Sequence, residues 1–392
     1  MKIFALVSLA AAVLAFAEAS PVKSHPGHAV PLTRNPHFKH NTKAQIAKLN
    51  HRYPGLKILS GSTGNVPLTD VSPDLEYYGT VAVGTPAQNF KLDFDTGSSD
   101  IWFPSSTCTT SACKAHTRFN SAKSSTYKKD GRSWNIGYGD GSTASGILGS
   151  DMVSVGGIKV RQTIGLATAE SSQFGSSPED GLFGLGFSSI ESVSGVSTFL
   201  DNAIAAGVLA QPVVSVFLPS ERLFNGQDGA YVFGGIDNAK YTGSLTYVPV
   251  SQEGYWQISI ADAVYNGQSL GQSSEGIVDT GTTLIIVGDA AAQAIHGKIS
   301  GSTNDPNNGW LVPCSIKSST DTIGFSMGGS TFNVAVADLA YEDVGDGSGN
   351  CVSGVQGGQD GLWILGDVFI KNNYCVFSQT SSPSIGIAPL KH

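Results

Sequence analysis

Asp95 and Asp279 stand in matching surroundings. The first lies in Phe94-Asp95-Thr96-Gly97-Ser98-Ser99 and the second in Val278-Asp279-Thr280-Gly281-Thr282-Thr283. Apolar residues lead into each stretch and more follow, Ile101-Trp102-Phe103 and Leu284-Ile285-Ile286. Each reads as a buried strand that breaks at a glycine and offers one carboxylate at the break. A single Asp-Thr-Gly is weak evidence, because Asp and Gly are ordinary turn residues. Here a second marker follows each at nearly the same distance: Leu182-Phe183-Gly184 begins 87 positions after Asp95, and Ile364-Leu365-Gly366 begins 85 positions after Asp279. An internal repeat on that scale predicts two similar lobes that face each other.

If each lobe lends one carboxylate to a shared cleft, the two cannot both ionise easily and one proton is held between them. The ionised member can then take a proton from water while the protonated member polarises a carbonyl, the combination that amide hydrolysis needs. The residues after each Asp suit this task. Gly97 and Gly281 let the backbones approach closely and donate N–H groups to the carboxylates. Thr96 and Thr280 can hydrogen-bond across to the opposite lobe, and Ser98 and Thr282 can reach the outer carboxylate oxygens.

With those stretches go Glu76-Tyr77-Tyr78-Gly79, Gly84-Thr85-Pro86, Asp93-Phe94-Asp95 through Ser99-Asp100-Ile101-Trp102, Tyr138-Gly139-Asp140-Gly141-Ser142, Asp180-Gly181-Leu182-Phe183-Gly184-Leu185-Gly186 and Gly366-Asp367-Val368-Phe369. Together they span residue 65 to the C-terminus, and on them the chain resembles the pepsin family of aspartic proteases, with its secreted fungal members the nearest in pattern. The resemblance implies a mostly β, bilobal fold: two similar β-barrel-like lobes with the active-site cleft between them, joined by a sheet at the floor. It makes Asp95 and Asp279 the catalytic pair, Asp279 the base and Asp95 the acid. It makes the hairpin around Tyr138, Gly139 and Asp140 a flap over a polypeptide substrate. The Tyr138 hydroxyl then meets the Trp102 indole N–H in an aromatic wall, and the apolar cleft accepts bulky residues, with Asp140 able to admit lysine before the cut bond. Gly97, Gly281 and Thr282 fall on the substrate side, and statine-type inhibitors are expected ligands. The family's two bridges correspond to Cys108 with Cys113 and Cys314 with Cys351. Cys375 stands where the family has an apolar residue.

Composition agrees with a turn-rich β protein. Glycine numbers 48 of 392 residues and charged residues make up 14%, against roughly 7% and 25% in ordinary globular chains. Five cysteines in an exported chain leave an odd one, so two bridges and a free thiol is the simplest accounting; Cys375 reads as a buried small hydrophobe. Lys2, the apolar run 3–16 and Ala17-Glu18-Ala19 match a signal peptide over 1–19 and not a membrane span, for which the run is short. From 20 to 64 there are seven bases, five histidines and no acid, whereas residues 65–392 carry 30 acids against 15 bases. A basic leader on an acidic body reads as a removable propeptide, residues 20–64, which the resemblance places across the cleft as an intramolecular inhibitor with Lys57 or Lys48 toward the aspartates. Alternatives for the leader are a solvated tail or a nucleic-acid arm; residues 35–56, with Ile46 and Leu49 three apart, suggest a short helix instead.

The remaining organisation is an N-terminal lobe at 65–240 and a C-terminal lobe at 241–392, with the boundary near 237–241. Strands are expected at 77–83, 90–94, 134–138, 146–155 and 213–218. Helices are expected at 199–206, capped by Ser197 or Thr198 and stopped by Gly207, and at 290–295 with Asp289 as cap. Gly137-x-Gly139 is not a nucleotide loop, because no helix follows it. Residues 343–350 lack the closing Glu of a calcium loop and read as a plain turn. His116, His296 and His392 are scattered, so they are read as surface residues and not as a zinc site or a Ser-His-Asp triad. No metal, cofactor, nucleic-acid or membrane partner is expected, and the product is expected to be a monomer, secreted or held in an acidic vacuole. The rivals are a catalytically inactive pepsin-fold binding protein, which would usually carry a damaged Asp or flap tyrosine, and a two-carboxylate glycosidase, which the repeated Asp-Thr-Gly disfavours.

Overall fold

The computed structural model describes residues 27–34, 77–137, 142–224, 229–358 and 361–391. The expected signal peptide, the segment 35–56 and both candidate leader lysines lie outside them.

The N-terminal half is built on period-two strands. Tyr77–Val83 alternates buried Tyr77, Val81 and Val83 with more exposed positions, and Gln88–Asp95 buries Phe90, Leu92 and Phe94, as half-buried strands must. Six strands close into a barrel in the order Tyr77–Val83, Gln88–Asp95, Gly181–Gly184, Ile101–Pro104, Ile158–Glu170 and Thr143–Val155, the last pairing back onto the first. Lys128–Gly137 extends the barrel at Thr143–Val155.

The sequence repeat is a structural repeat. In the first half Gln88–Asp95 runs parallel to Gly181–Gly184, which pairs antiparallel with Ile101–Pro104. In the second half Ser274–Val278 runs parallel to Leu362–Leu365, which pairs antiparallel with Ile285–Gly288. The two markers are therefore the strands beside each Asp strand. Their glycines are required by contact: a β-carbon on Gly184 would stand 2.3 Å from the Ser99 carbonyl carbon, and one on Gly366 2.2 Å from the Thr282 carbonyl oxygen.

The halves meet in one sheet. Val213–Phe217 pairs with Asn373–Ser378, which pairs with Ser384–Pro389 and so on to Thr246–Pro249. Trp256 of the second half donates its indole N–H to the Leu185 carbonyl of the first at 2.9 Å. Residues 237–241 form the turn between Ala230–Phe233 and Thr246–Pro249, with Asp237 Oδ1 accepting from the Ala239 N–H.

One strand of this sheet belongs to the leader. His28–Arg34 lies between Ala230–Phe233 and Tyr77–Val83, antiparallel to both. Val30 and Leu32 are buried and Ala29 and Pro31 exposed, an ordinary amphipathic strand pattern. The expected helix is not in this stretch; it would follow it.

Both bridges form, Cys108 to Cys113 and Cys314 to Cys351, and by loop-closure entropy contribute about 2 and about 4 kcal/mol. Cys375 is a buried free thiol whose pKa burial pushes up. Phe199–Ala205 has the predicted end signals: Thr198 and Asp201 form a capping box, and Gly207 takes φ +65° after the last turn. The second helix departs from expectation. It runs Asp289–His296 with Gly288 as N-cap, so Asp289 is its first residue and acts on the N-terminal dipole instead of capping it. Residues 343–350 form turns in which Asp343 and Asp346 accept from the N–H groups two residues on.

His116 and His296, expected at the surface, are not surface residues. His116 is largely enclosed, its Nε2 3.0 Å from the Ser177 carbonyl and its Nδ1 3.7 Å from Glu170. Burial alone would lower its pKa, but Glu170, the Ser177 carbonyl and Asp180 together raise it. His296 is buried, stacked on Trp310 with centroids 4.4 Å apart, and bonded to the Ala292 carbonyl and Ser353 Oγ. Burial pulls its pKa down to about 4 against the partial opposition of the Ala292 carbonyl. Between its ordinary 6.5 and about 4, the unfolded chain binds a proton that the folded one refuses, so acidification through that window costs stability, up to about 3 kcal/mol. A His296→Phe variant, which keeps the stack but cannot titrate, should lose less melting temperature than the parent between pH 7 and pH 4, by several degrees. Thermal unfolding of both proteins at the two pH values checks this, and parallel losses would contradict it.

Candidate active site

Each strand that leads to an aspartate is pinned by apolar residues, Leu92 and Phe94 in one and Ile277 and Val278 in the other, all fully buried. The chain then turns at Gly97 and at Gly281, and each carboxylate is gripped from its own loop. Asp95 Oδ1 accepts from the Gly97 N–H at 2.9 Å and Oδ2 from Ser98 Oγ at 2.5 Å. Asp279 Oδ1 accepts from the Gly281 N–H at 2.9 Å and Oδ2 from Thr282 Oγ1 at 2.5 Å. The two settings are the same to the atom type.

The threonines lock one loop to the other. Thr96 N–H donates to Thr280 Oγ1 and Thr280 N–H donates to Thr96 Oγ1, both at 3.0 Å. Each hydroxyl passes its own proton to the opposite strand, Thr96 to the Val278 carbonyl at 3.0 Å and Thr280 to the Phe94 carbonyl at 2.8 Å. These four bonds are buried and reciprocal, so the loops have little freedom to separate. The result is close approach of the carboxylates: a β-carbon on Gly97 would stand 2.4 Å from Asp279 Oδ1, while the Gly97 N–H holds Asp95. Both aspartates are fully buried.

A family model described as eukaryotic aspartyl protease matches residues 76–390. The chain belongs to that family. Among its relatives, rhizopuspepsin-4 of Rhizopus niveus is 44% identical over 93% of each chain. Syncephapepsin of Syncephalastrum racemosum is 41% identical over 99% of each, and pepsin A of Callithrix jacchus is 42% identical over 83% of this chain and 84% of its own. The chain is thus an aspartic endopeptidase of pepsin-like fold.

In this aspartyl protease an aromatic cluster packs around Trp102. Trp102, on Ile101–Pro104, is buried with its ring 5.7 Å from Trp134 and 5.2 Å from Phe174. Tyr138, Gly139 and Asp140 lie outside the described residues. Their flanking strands pair antiparallel as far as Gly137 with Thr143.

Sequence reasoning missed one polar group here. Asp100 holds the Trp134 indole N–H at 2.9 Å and both donors of Ser192, and Glu191 hydrogen-bonds Asp100. Asp100 sits inside the quoted motif, but the loop that brings Glu191 and Ser192 to it has no local signature.

Proposed function

We propose that Asp95 and Asp279 are the catalytic dyad of an acid-acting endopeptidase, with Thr96, Thr280 and Ser98 in support. The observation that carries this reading is the pair of buried carboxylates, each on a donor pair of the same kind, brought together over Gly97. One proton serves both. The ionised member, Asp279 by family analogy, takes a proton from water as the water oxygen bonds to the scissile carbonyl carbon. Asp95 meanwhile donates its proton to the carbonyl oxygen. Collapse of the tetrahedral adduct breaks the C–N bond, the leaving nitrogen takes the proton held by Asp279, and Asp95 recovers its own. Denatured protein should be cleaved at about pH 3–5 and cleavage should stop with a statine-type inhibitor; no cleavage by the processed chain would favour the inactive binding-protein reading.

Trp102, Gly97, Gly281 and Thr282, with Tyr138 and Gly139 of the flap, form the substrate side and favour bulky apolar residues. Asp140 admits lysine before the cut bond by pairing its ammonium while the methylenes lie on the aromatic wall. Such a pair is worth about 1–3 kcal/mol depending on solvent. Asp140→Ser should therefore lose roughly fivefold to a hundredfold in kcat/KM on lysine substrates and nothing on phenylalanine or leucine substrates. An equal loss on both would make Asp140 a turn residue only.

The protein is made as a zymogen that acts as a monomer after export, outside the cell or in an acidic vacuole, on polypeptide substrates. What supports this is the basic leader on an acidic body, and the seating of His28–Arg34 in the sheet beside Tyr77–Val83. Protonating body carboxylates removes the leader's partners, so acid releases it and a new N-terminus forms between residues 60 and 70. No helix among the described residues is long and apolar enough to cross a membrane.

A further inference from the structure

A second pair of carboxyl groups, one of them five residues past Asp95, uses none of the dyad's donors. Asp100, one residue past Ser99, is buried; its Oδ1 accepts from Trp134 Nε1 at 2.9 Å and from Ser192 Oγ at 2.5 Å, and its Oδ2 accepts from the Ser192 N–H at 3.1 Å. The other neighbour is Glu191, whose carboxyl hydrogen-bonds Asp100 and whose Oε1 is buried without a hydrogen-bond partner. Two carboxylates cannot bond to each other without a proton between them. Donors converge on Asp100 and none reaches Glu191 Oε1, so the proton belongs to Glu191.

The pair sits at a junction. Asp100 is on the loop that carries Asp95, and Trp134 is on Lys128–Gly137, the strand that leads into the flap. Trp134 packs on Trp102, and both share an apolar cluster with Leu148, Leu182 and Val196. The loop bearing Glu191 also grips the same strand through Arg132, whose guanidinium donates to the Ser194 carbonyl.

We propose that Glu191 is a positioning residue: held as the neutral acid, it donates its O–H in a hydrogen bond to Asp100, and Asp100 so fixed seats Trp134 against Trp102 and ties the flap strand to the loop of Asp95. The proposal takes from the preceding section only that Trp102 walls the cleft. The groups facing Glu191 are Asp100 from the Asp95 loop and Asp201 from the helix Phe199–Ala205; Arg132 is engaged by Asp130 in a bidentate pair. Burial first, then the charge and hydrogen bond of Asp100, then Asp201, push the Glu191 carboxyl up to about 9. The sign follows. In the unfolded chain Glu191 ionises near 4.5, so from there to about 9 the folded state binds the extra proton. The contribution is full below about 4.5 and is lost as pH rises toward 9. The junction's contribution to stability is therefore greatest in acid and declines toward neutrality, while the folded protein keeps the proton on Glu191 up to about 9.

The test compares the parent with Glu191→Gln, which keeps a donor but cannot titrate, and Glu191→Ala, which leaves no donor. Stability is read as urea unfolding followed by tryptophan fluorescence at pH 4.5 and pH 7, in an Asp279→Asn background that does not process itself. Between those pH values the unfolding constant of the parent should rise roughly tenfold to three-hundredfold more than that of Glu191→Gln. With the dyad intact at pH 4, Glu191→Gln should match the parent in kcat and KM. Glu191→Ala should raise KM about threefold to tenfold and leave kcat within twofold. Equal pH dependence of the parent and Glu191→Gln overturns the proposal. So does a Glu191→Gln protein that fails to fold at pH 4.5, since it replaces one neutral donor by another, or one that shares the KM defect of Glu191→Ala. If the intact enzyme proves inactive, the dyad reading fails, while the unfolding measurement still decides the proton on Glu191.

Discussion

Replacing either Asp95 or Asp279 by asparagine should lower kcat/KM by roughly 10⁴-fold, the upper end of what positioned acid–base groups supply, and leave a folded protein. Asparagine has the shape of aspartate, so Oδ1 can still accept from the Gly97 or Gly281 N–H, and the hydroxyl of Ser98 or Thr282 can turn to accept where it now donates. What is lost is the chemistry: with one member unable to exchange a proton, no arrangement leaves one group to deprotonate water and the other to polarise the carbonyl. The checks are initial rates on a peptide substrate and a melting curve for each variant. Turnover above about one per cent of the parent in either variant would contradict the dyad.

Thr96→Val should destabilise the protein and disable it together. Valine has the volume of threonine but no hydroxyl, so the Thr280 N–H and the Val278 carbonyl, both buried and both now bonded to Thr96 Oγ1, lose their partner. At about 1–3 kcal/mol for each orphaned group the cost is about 2–6 kcal/mol. The catalytic loss is larger than stability alone would give, because the grip sets the separation of the carboxylates and a shift of about 1 Å costs on the order of a hundredfold. Thr96→Ser, which restores the hydroxyl, should recover most of both. Urea midpoints and kcat/KM measured side by side test this; a Thr96→Val protein within about 1 kcal/mol of the parent and fully active would show that the loops are held elsewhere.

Much of the fold was legible because its signals are local or repeated. The strand at 77–83 has the bounds its alternation and the following Gly84 suggested, and the two Asp-Thr-Gly stretches with their trailing markers lie on matching three-strand units. The carboxylate, glycine and hydroxyl contacts at each Asp are those the residue types allow. What was misread depended on tertiary partners. Asp289 suits an N-cap and a first helical position equally, and the extended backbone of Gly288 decides between them. Nothing near His296 in sequence announces Trp310 or Ser353. The strand His28–Arg34 alternates clearly, but Pro31 argues against a central strand; the sheet accepts it by pairing Leu32 N–H with the Gly229 carbonyl. Glu191 is the extreme case, an acid in a polar loop whose meaning comes only from Asp100.

The central claim is that one proton is shared by Asp95 and Asp279 in the working enzyme. Its most direct test is the dependence of kcat/KM on pH from 2 to 7, with initial rates taken immediately after transfer of the acid-processed protein to each pH. The account predicts a bell with its maximum in acid and two limbs of unit slope, one for loss of the ionised member and one for loss of the proton. A profile with a single limb, or a maximum at neutral pH, would contradict it.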